Sequence, residues 1–225
     1  MDFFCVLWYS SKKIFQNATE LRANKAKVLQ KLFRPKPRVR LLRSDSKHKF
    51  WEKEVKMELK DVLLARRSVR KFTDEAVSKE DVNYLLHAAM SGPSACNKKP
   101  WDFFVVTNAD VLQKLRNGSH FSKMNAPLAI VVCGNLSRAL PLQLAAYWIQ
   151  DCSAATENIL LAATDLGLGA VWCGIHPQKL AEKRVKEALG LKEKQIPLNI
   201  IFVGHPAETP EPRDQYDEKY VHVVD

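Results

Sequence analysis

The chain has 225 residues, 46% of them hydrophobic, enough to bury a substantial core in one domain or one domain with an appendage. Five cysteines, an odd number without a C-x-x-C pair, argue against a disulfide framework or a zinc knuckle and for a reducing, cytoplasmic setting, and no apolar run approaches the ~20 residues that cross a bilayer. The net charge of +10 suggests nucleic-acid binding until it is located: residues 1–56 hold 15 Lys+Arg against 5 Asp+Glu, so residues 57–225 hold 20 of each, and no nucleic-acid partner is expected for that part.

In chain order, residues 1–56 read as a basic N-terminal extension with Pro35 and Pro37 inside its most basic stretch. A basic arm for nucleic acid or anionic lipid, a targeting peptide and an upstream in-frame stretch are the competing readings, and an extension without a catalytic role is the plainest. Met57 makes a natural start for a folded domain spanning 57–225. "ELKDVLLARRS" (58–68) is amphipathic, and Ser78 with Asp81 three residues on forms an N-cap pair for the helix "KEDVNYLLHAAM" (79–90), which stops at Gly92 and Pro93. "DFFVVT" (102–107) and "LAIVVCG" (128–134) read as buried strands with the short helix "ADVLQKLRNG" (109–118) between them. A long alanine-rich apolar helix follows over 141–166, then a strand at 169–175, a helix at 177–190 closed by Gly190, and a last buried strand at 197–206. The remainder, with two prolines and little apolar content, reads as an extended tail. The pattern predicts an α/β or α+β domain with about four strands and five helices.

Most familiar motifs can be set aside. "GLGAVWCG" lacks the third glycine of a dinucleotide turn and precedes a strand instead of following one. No G-x-x-x-x-G-K-[ST] is present, the six histidines have no metal-ligand spacing, and neither Ser94 nor Ser153 sits in a G-x-S-x-G elbow. Neither a metal site nor a nucleophilic hydrolase is therefore expected. What remains conspicuous is "LLARRSVRKF" (63–72), which places Arg66, Arg67, Arg70 and Lys71 within six residues. Such mutually repelling cations call for an anion or several carboxylates nearby, and a phosphate is one candidate.

Four segments, "ARRSVRKF" (65–72), "SGPSACNKKPWDFFVV" (91–106), "GLGAVWCGIHP" (167–177) and "VGHPAETPEPRDQYD" (203–217), resemble in order and spacing the signature segments of the nitroreductase superfamily of FMN-dependent oxidoreductases. The resemblance runs from Met57 to the C-terminus. It implies an α+β nitroreductase-like fold: a central mixed sheet of about four to five strands flanked by helices, a swapped C-terminal tail and a homodimer. It further implies that Arg66, Arg67, Ser68 and Arg70 bind FMN, guanidinium groups and a hydroxyl being apt partners for phosphate oxygens, with Arg70 at the pyrimidine edge of the flavin ring. Pro93, Ser94, Ala95 and Asn97 match the loop that lines the flavin from the other subunit. Trp172, Cys173 and Gly174 match the strand end facing the ring, and Gly204 and Arg213 match positions near the phosphate.

Two positions depart from the family pattern: Lys99 stands where glutamine is usual, and Gln215 where a second basic residue is common. Trp101 and Cys173 read as core residues on the strands they occupy. The activity implied by the resemblance is a ping-pong reaction in which NAD(P)H passes hydride to flavin N5 and an electron-poor acceptor, a nitroaromatic, a quinone or a related compound, takes it from the same pocket. The flavin carries the chemistry, so no catalytic acid or nucleophile is needed. The alternatives are a flavin-consuming or reductive dehalogenase-type branch of the same fold, or a flavin-binding scaffold whose basic arm engages nucleic acid or membrane.

Overall fold

The computed structural model describes residues 57–211 and 213–224; the basic extension assigned to 1–56 lies outside the described residues. Among them, helices α1 (Leu59–Ala65), α2 (Lys79–Met90), α3 (Ala109–Arg116), α4 (Tyr147–Asp165) and α5 (Lys179–Leu189) alternate with strands β1 (Trp101–Val106), β2 (Leu128–Asn135), β3 (Gly169–Gly174) and β4 (Gln195–Gly204).

The caps are where local chemistry puts them. Ser78 Oγ accepts the Asp81 N–H at 3.0 Å at the start of α2, Asn108 Oδ1 accepts the Val111 N–H at 3.1 Å at the start of α3, and Gly190 ends α5 with φ 62°. The helix expected over 58–68 stops earlier. The chain turns extended at Arg66, because Ser68 forms a parallel bridge with Ala170 and Val69 N–H donates to the Ala170 carbonyl at 3.0 Å, a pairing that competes with continued helix. The long helix expected over 141–166 is likewise shorter, with a 3-10 turn at Leu142–Ala146 preceding α4.

The sheet order is β1-β2-β4-β3, and all three neighbouring pairs are antiparallel. This corrects the expected mixed sheet. Helix-length connections suggest crossovers to parallel strands, but here each connection between paired strands leaves and re-enters at the same end of the sheet. The Ser68–Ala170 bridge, on the open edge of β3, is parallel. Opposite β2 positions 132 and 133 the register shifts past Leu198, whose carbonyl instead accepts the N–H groups of Ile175 and His176 at 2.9 and 3.0 Å.

Both faces of the sheet are covered. Leu128, Ile130 and Val132 pack with α2 and α4 on one face, and Ala129, Val131 and Cys133 with α3 and α5 on the other. That double burial explains why β2 and β4 read as unbroken apolar runs. Trp101 belongs to the α2/α4 core, as expected for it, and α4 buries one stripe, Trp148, Asp151, Cys152, Ala155, Thr156 and Ile159 among it. No described helix is long and apolar enough to cross a membrane.

Candidate functional site

The cationic segment leaves α1 and lies between β3 and the chain that follows β4. On one side are the Ser68–Ala170 bridge and Gly169, where a Cβ would come within 2.7 Å of Val69. On the other, Phe72 bridges Pro206, Ala207 N–H donates to the Lys71 carbonyl at 2.9 Å, and Thr73 N–H donates to the His205 carbonyl at 2.9 Å. Gly204 has to be small there, since a Cβ would meet Pro127 at 2.7 Å and Phe72 at 3.1 Å. Asn125 locks the segment further, accepting the Phe72 N–H at 3.1 Å and donating to the Phe72 carbonyl at 2.7 Å.

The four predicted side chains of this segment have different surroundings. Arg66 Nε lies 3.4 Å from Glu157 Oε1 on α4, a partly exposed pair of small net value. Arg67 donates to four backbone carbonyls: Leu64 at 2.9 Å, Arg66 at 2.8 Å, Glu211 at 3.1 Å and Arg213 at 2.9 Å. It thereby fastens the tail, and Arg213 with it, to the start of the domain. The Ser68 hydroxyl and the Arg213 guanidinium have no hydrogen-bond partner among the described residues, and the Arg70 guanidinium makes one long bond, 3.4 Å to the Ser68 carbonyl. Glu208 Oε1 accepts the N–H groups of Arg70 and Lys71 at 2.7 and 3.2 Å, and the Arg70 N–H above all holds its carboxyl below the ordinary glutamate value.

β3 carries its predicted residues along the edge that the cationic segment joins at Ala170. Trp172 and Gly174 are exposed on one face, and a Cβ on Gly174 would meet nothing within 4 Å, so there is open space over this strand end. Cys173 points into the α3/α5 core. Burial pushes its thiol up to about 11, with the Arg70 guanidinium pulling the other way, which puts Arg70 within electrostatic reach of the strand end. Cys173 is thus a protonated filler at neutral pH. Arg66, Arg67, Ser68, Arg70, Gly204 and Arg213 thus gather at the start of β3, and Trp172, Cys173 and Gly174 continue the same strand away from them, with Arg70 within electrostatic reach of Cys173. The available donors are a hydroxyl and guanidinium groups, a donor set that suits a phosphate ester, and the glycine-floored strand end suits a flat ring.

The other predicted segment stands apart. Pro93, Ser94, Ala95 and Asn97 lie between α2 and β1, and among the described residues no hydrogen bond or ion pair joins them to the cationic segment. Their turn is unusual: Cys96, Asn97 and Lys99 have φ of 50°, 54° and 49°, left-handed values for residues that carry a Cβ. Three anchors hold it. Ala95 N–H donates to Asp151 Oδ1 at 2.9 Å, Lys99 N–H to Ser94 Oγ at 3.0 Å, and Arg138 Nε to the Lys99 carbonyl at 3.3 Å. Asp102 in turn holds Arg138 while also accepting from Asn135 at 2.9 Å and Gln195 at 2.7 Å.

Asp151, Arg138, Asn125 and Glu208 were not among the residues picked out by the sequence. Each acts on a segment 39 to 138 residues away, and no local spacing announces such a partner.

Comparison with known proteins agrees with this geometry. The Nitroreductase family model matches residues 63–120 and 116–205. A protein of Methanothermobacter thermautotrophicus bearing the assigned name NADH dehydrogenase/NAD(P)H nitroreductase is 40% identical over 170 residues, 75% of this chain and 87% of that one. Among solved structures, an FMN-dependent nitroreductase of Clostridium difficile R20291 is 31% identical with a TM-score of 0.67, covering 73% of this chain and 98% of that one. A nitroreductase from Desulfovibrio desulfuricans solved in complex with FMN is 27% identical with a TM-score of 0.65, covering 74% of this chain and 96% of that one. A family match that takes in the cationic segment, the 93–97 turn, the β3 end and Gly204, on a fold shared with solved members, means that this chain belongs to the nitroreductase family.

Proposed function

We propose that the protein is an FMN-dependent oxidoreductase that uses NAD(P)H to reduce electron-poor acceptors such as nitroaromatics or quinones. The observation that carries this reading is the grouping of Arg66, Ser68, Arg70 and Arg213 along the β3 edge, with the Ser68 hydroxyl and the Arg213 guanidinium unpartnered among the described residues and open space at Gly174. The names of the family relatives support both cofactors.

In this reading Arg66, Ser68 and Arg213 hold the FMN phosphate by charge-assisted hydrogen bonds. Arg67 keeps Arg213 in place through its carbonyl, and Gly204 lets Phe72 and Pro127 close behind the segment. Arg70 supplies positive charge at the pyrimidine edge of the ring, while the backbone of Trp172, Cys173 and Gly174 forms the floor. Pro93, Ser94, Ala95 and Asn97 complete the site from the second subunit of a homodimer, and the C-terminal tail wraps that partner. Bound FMN supplies two-electron transfer between nicotinamide and acceptor. The protein's own part is to position the two in turn and to stabilise charge on the ring, which is why the site needs no acid, base or metal. The setting is cytoplasmic, in keeping with the free thiols of Cys96, Cys133, Cys152 and Cys173.

The test is an absorbance spectrum of the purified protein followed by a steady-state assay with NADH or NADPH and a quinone. Flavin bands in the visible blue with ping-pong turnover are expected. A colourless protein that takes up no FMN overturns the cofactor, and a flavoprotein with no NAD(P)H turnover overturns the reaction.

A further inference from the structure

Asp151 is the one carboxylate on the buried stripe of α4, with 6% of its surface exposed. Burying a carboxylate is costly unless it is paired and hydrogen-bonded. Among the described residues no cation pairs with it, and the bond it makes is with the Ala95 N–H at 2.9 Å. Its charge is felt next door, where burial and then Asp151 push the Cys152 thiol up to about 12. Helix packing alone gives no reason for a carboxylate here, since its neighbours on the stripe are Trp148, Cys152 and Ala155.

What Asp151 holds is a conformation that the turn would not keep by itself. Ala95 opens the short turn Ala95–Asn97, in which Cys96 and Asn97 are left-handed, and Lys99 follows in the same region of backbone space. Three non-glycine residues in that region within four positions relax toward right-handed or extended shapes unless the surroundings determine them. Of the three anchors, the Ser94 hydroxyl belongs to the turn itself and Arg138 to an exposed loop. Asp151 alone reaches the turn from a helix packed on the sheet.

We propose that Asp151 is a positioning residue of the cofactor site: by accepting the Ala95 N–H it presets the left-handed turn whose Ala95 and Asn97 meet the flavin. This rests on the reading that the turn lines FMN. A turn released from its acceptor populates the binding-competent shape less, and apparent affinity falls by that fraction.

The experiment titrates FMN into flavin-stripped, full-length wild type, Asp151→Asn, Asp151→Ala and Ile159→Val. The last trims a fully buried residue of the same stripe away from the turn. Asp151→Asn still offers an oxygen to Ala95, so its FMN affinity stays within about threefold of wild type, whereas Asp151→Ala binds roughly tenfold or more weakly. Ile159→Val loses thermal stability without losing FMN affinity. Hydrogen exchange of the apoprotein gives a reading independent of the cofactor: in Asp151→Ala the 91–100 segment exchanges faster while the β2 and β4 amides do not. Should Asp151→Ala be too unstable to purify, Asp151→Asn decides, since it must then retain both FMN affinity and protection of 91–100.

Equal FMN affinity in wild type and Asp151→Ala overturns the positioning role and leaves the cofactor reading intact. Equal losses in Asp151→Ala and Ile159→Val, or a loss in Asp151→Asn as large as in Asp151→Ala, overturn it too. A wild type that binds no FMN overturns the cofactor reading itself and this role with it.

Discussion

Substitution of Arg66, Arg67 or Arg213 is expected to weaken FMN binding by two different routes. Arg66→Ala and Arg213→Ala each remove a charged donor to the phosphate, worth about 1.5–3 kcal/mol, and so raise the FMN Kd by about 10- to 150-fold. Arg67 has its donors on backbone carbonyls, including that of Arg213, and acts through the tail. The double variant Arg67→Ala/Arg213→Ala therefore loses little more affinity than Arg213→Ala alone; fully additive losses in an FMN titration would contradict that. Arg70→Ala differs in kind. It keeps its flavin but lowers the midpoint potential, since roughly 1.4 kcal/mol of lost stabilisation of the reduced form shifts a two-electron couple by about 30 mV in a potentiometric titration. The cationic segment stands out in the sequence because the anion chemistry is local, four cations in six residues, whereas the separate parts expected of Ser68 and of each arginine come from the family resemblance. The hold of Arg67 on the tail is not legible there, because its carbonyl partners Glu211 and Arg213 lie 144 and 146 residues away.

Gly134, near the end of β2, faces the Trp148 indole at the start of α4, so closely that a Cβ would lie 2.1 Å from the ring's Cε3. The indole is itself buried and set edge-on to His176 at 5.1 Å. Gly134→Ala must push α4 off the sheet or turn the indole out, and urea unfolding should show a loss of about 1–3 kcal/mol. Nearby, Asp102 of β1, Asn135 of β2 and Gln195 of β4 are tied together with Arg138. Burial raises the Asp102 carboxyl, but the bonds from Arg138, Gln195 and Asn135 outweigh it and leave the group below its ordinary value. A depressed folded pKa contributes stability above the unfolded pKa of about 3.9 and loses it as pH falls through the folded value. Asp102→Asn should therefore flatten the acid limb of a stability profile measured below about pH 5, and an unchanged slope would show that this carboxylate contributes nothing there. Elements were well marked where a cap or an apolar run sufficed, as at Ser78 and β2. Strand direction was not, because periodicity tells which faces are buried and is silent on which end of the sheet a connection returns to. The end of α1 is hidden from the sequence for a related reason: helical patterning through 58–68 gives way to pairing with Ala170, a partner about a hundred residues further along.

At the scale of the molecule, apolar side chains stand in the open on several elements: Leu59, Leu63 and Leu64 on α1, Leu142 and Leu144 before α4, and Val221 and Val223 in the tail. Surface of that kind asks for a partner. Sedimentation of the holoprotein is expected to give a homodimer that does not dissociate without losing flavin. A monomer that keeps FMN and turns over at nanomolar concentration would remove the partner's turn from the site. The proposed cofactor site also has a place in time. Its cationic segment is among the first parts of the domain to be synthesised, while the Gly204 and Arg213 side of the cradle is among the last, and Phe72–Pro206 and Lys71–Ala207 join the two. At the ~5–20 residues per second of synthesis, Arg67 waits on the order of ten seconds or more for its carbonyl on Arg213. A nascent chain can therefore build its sheet well before it can retain a cofactor, and shortening the gene from its 3′ end should yield folded, colourless protein before it yields unfolded protein.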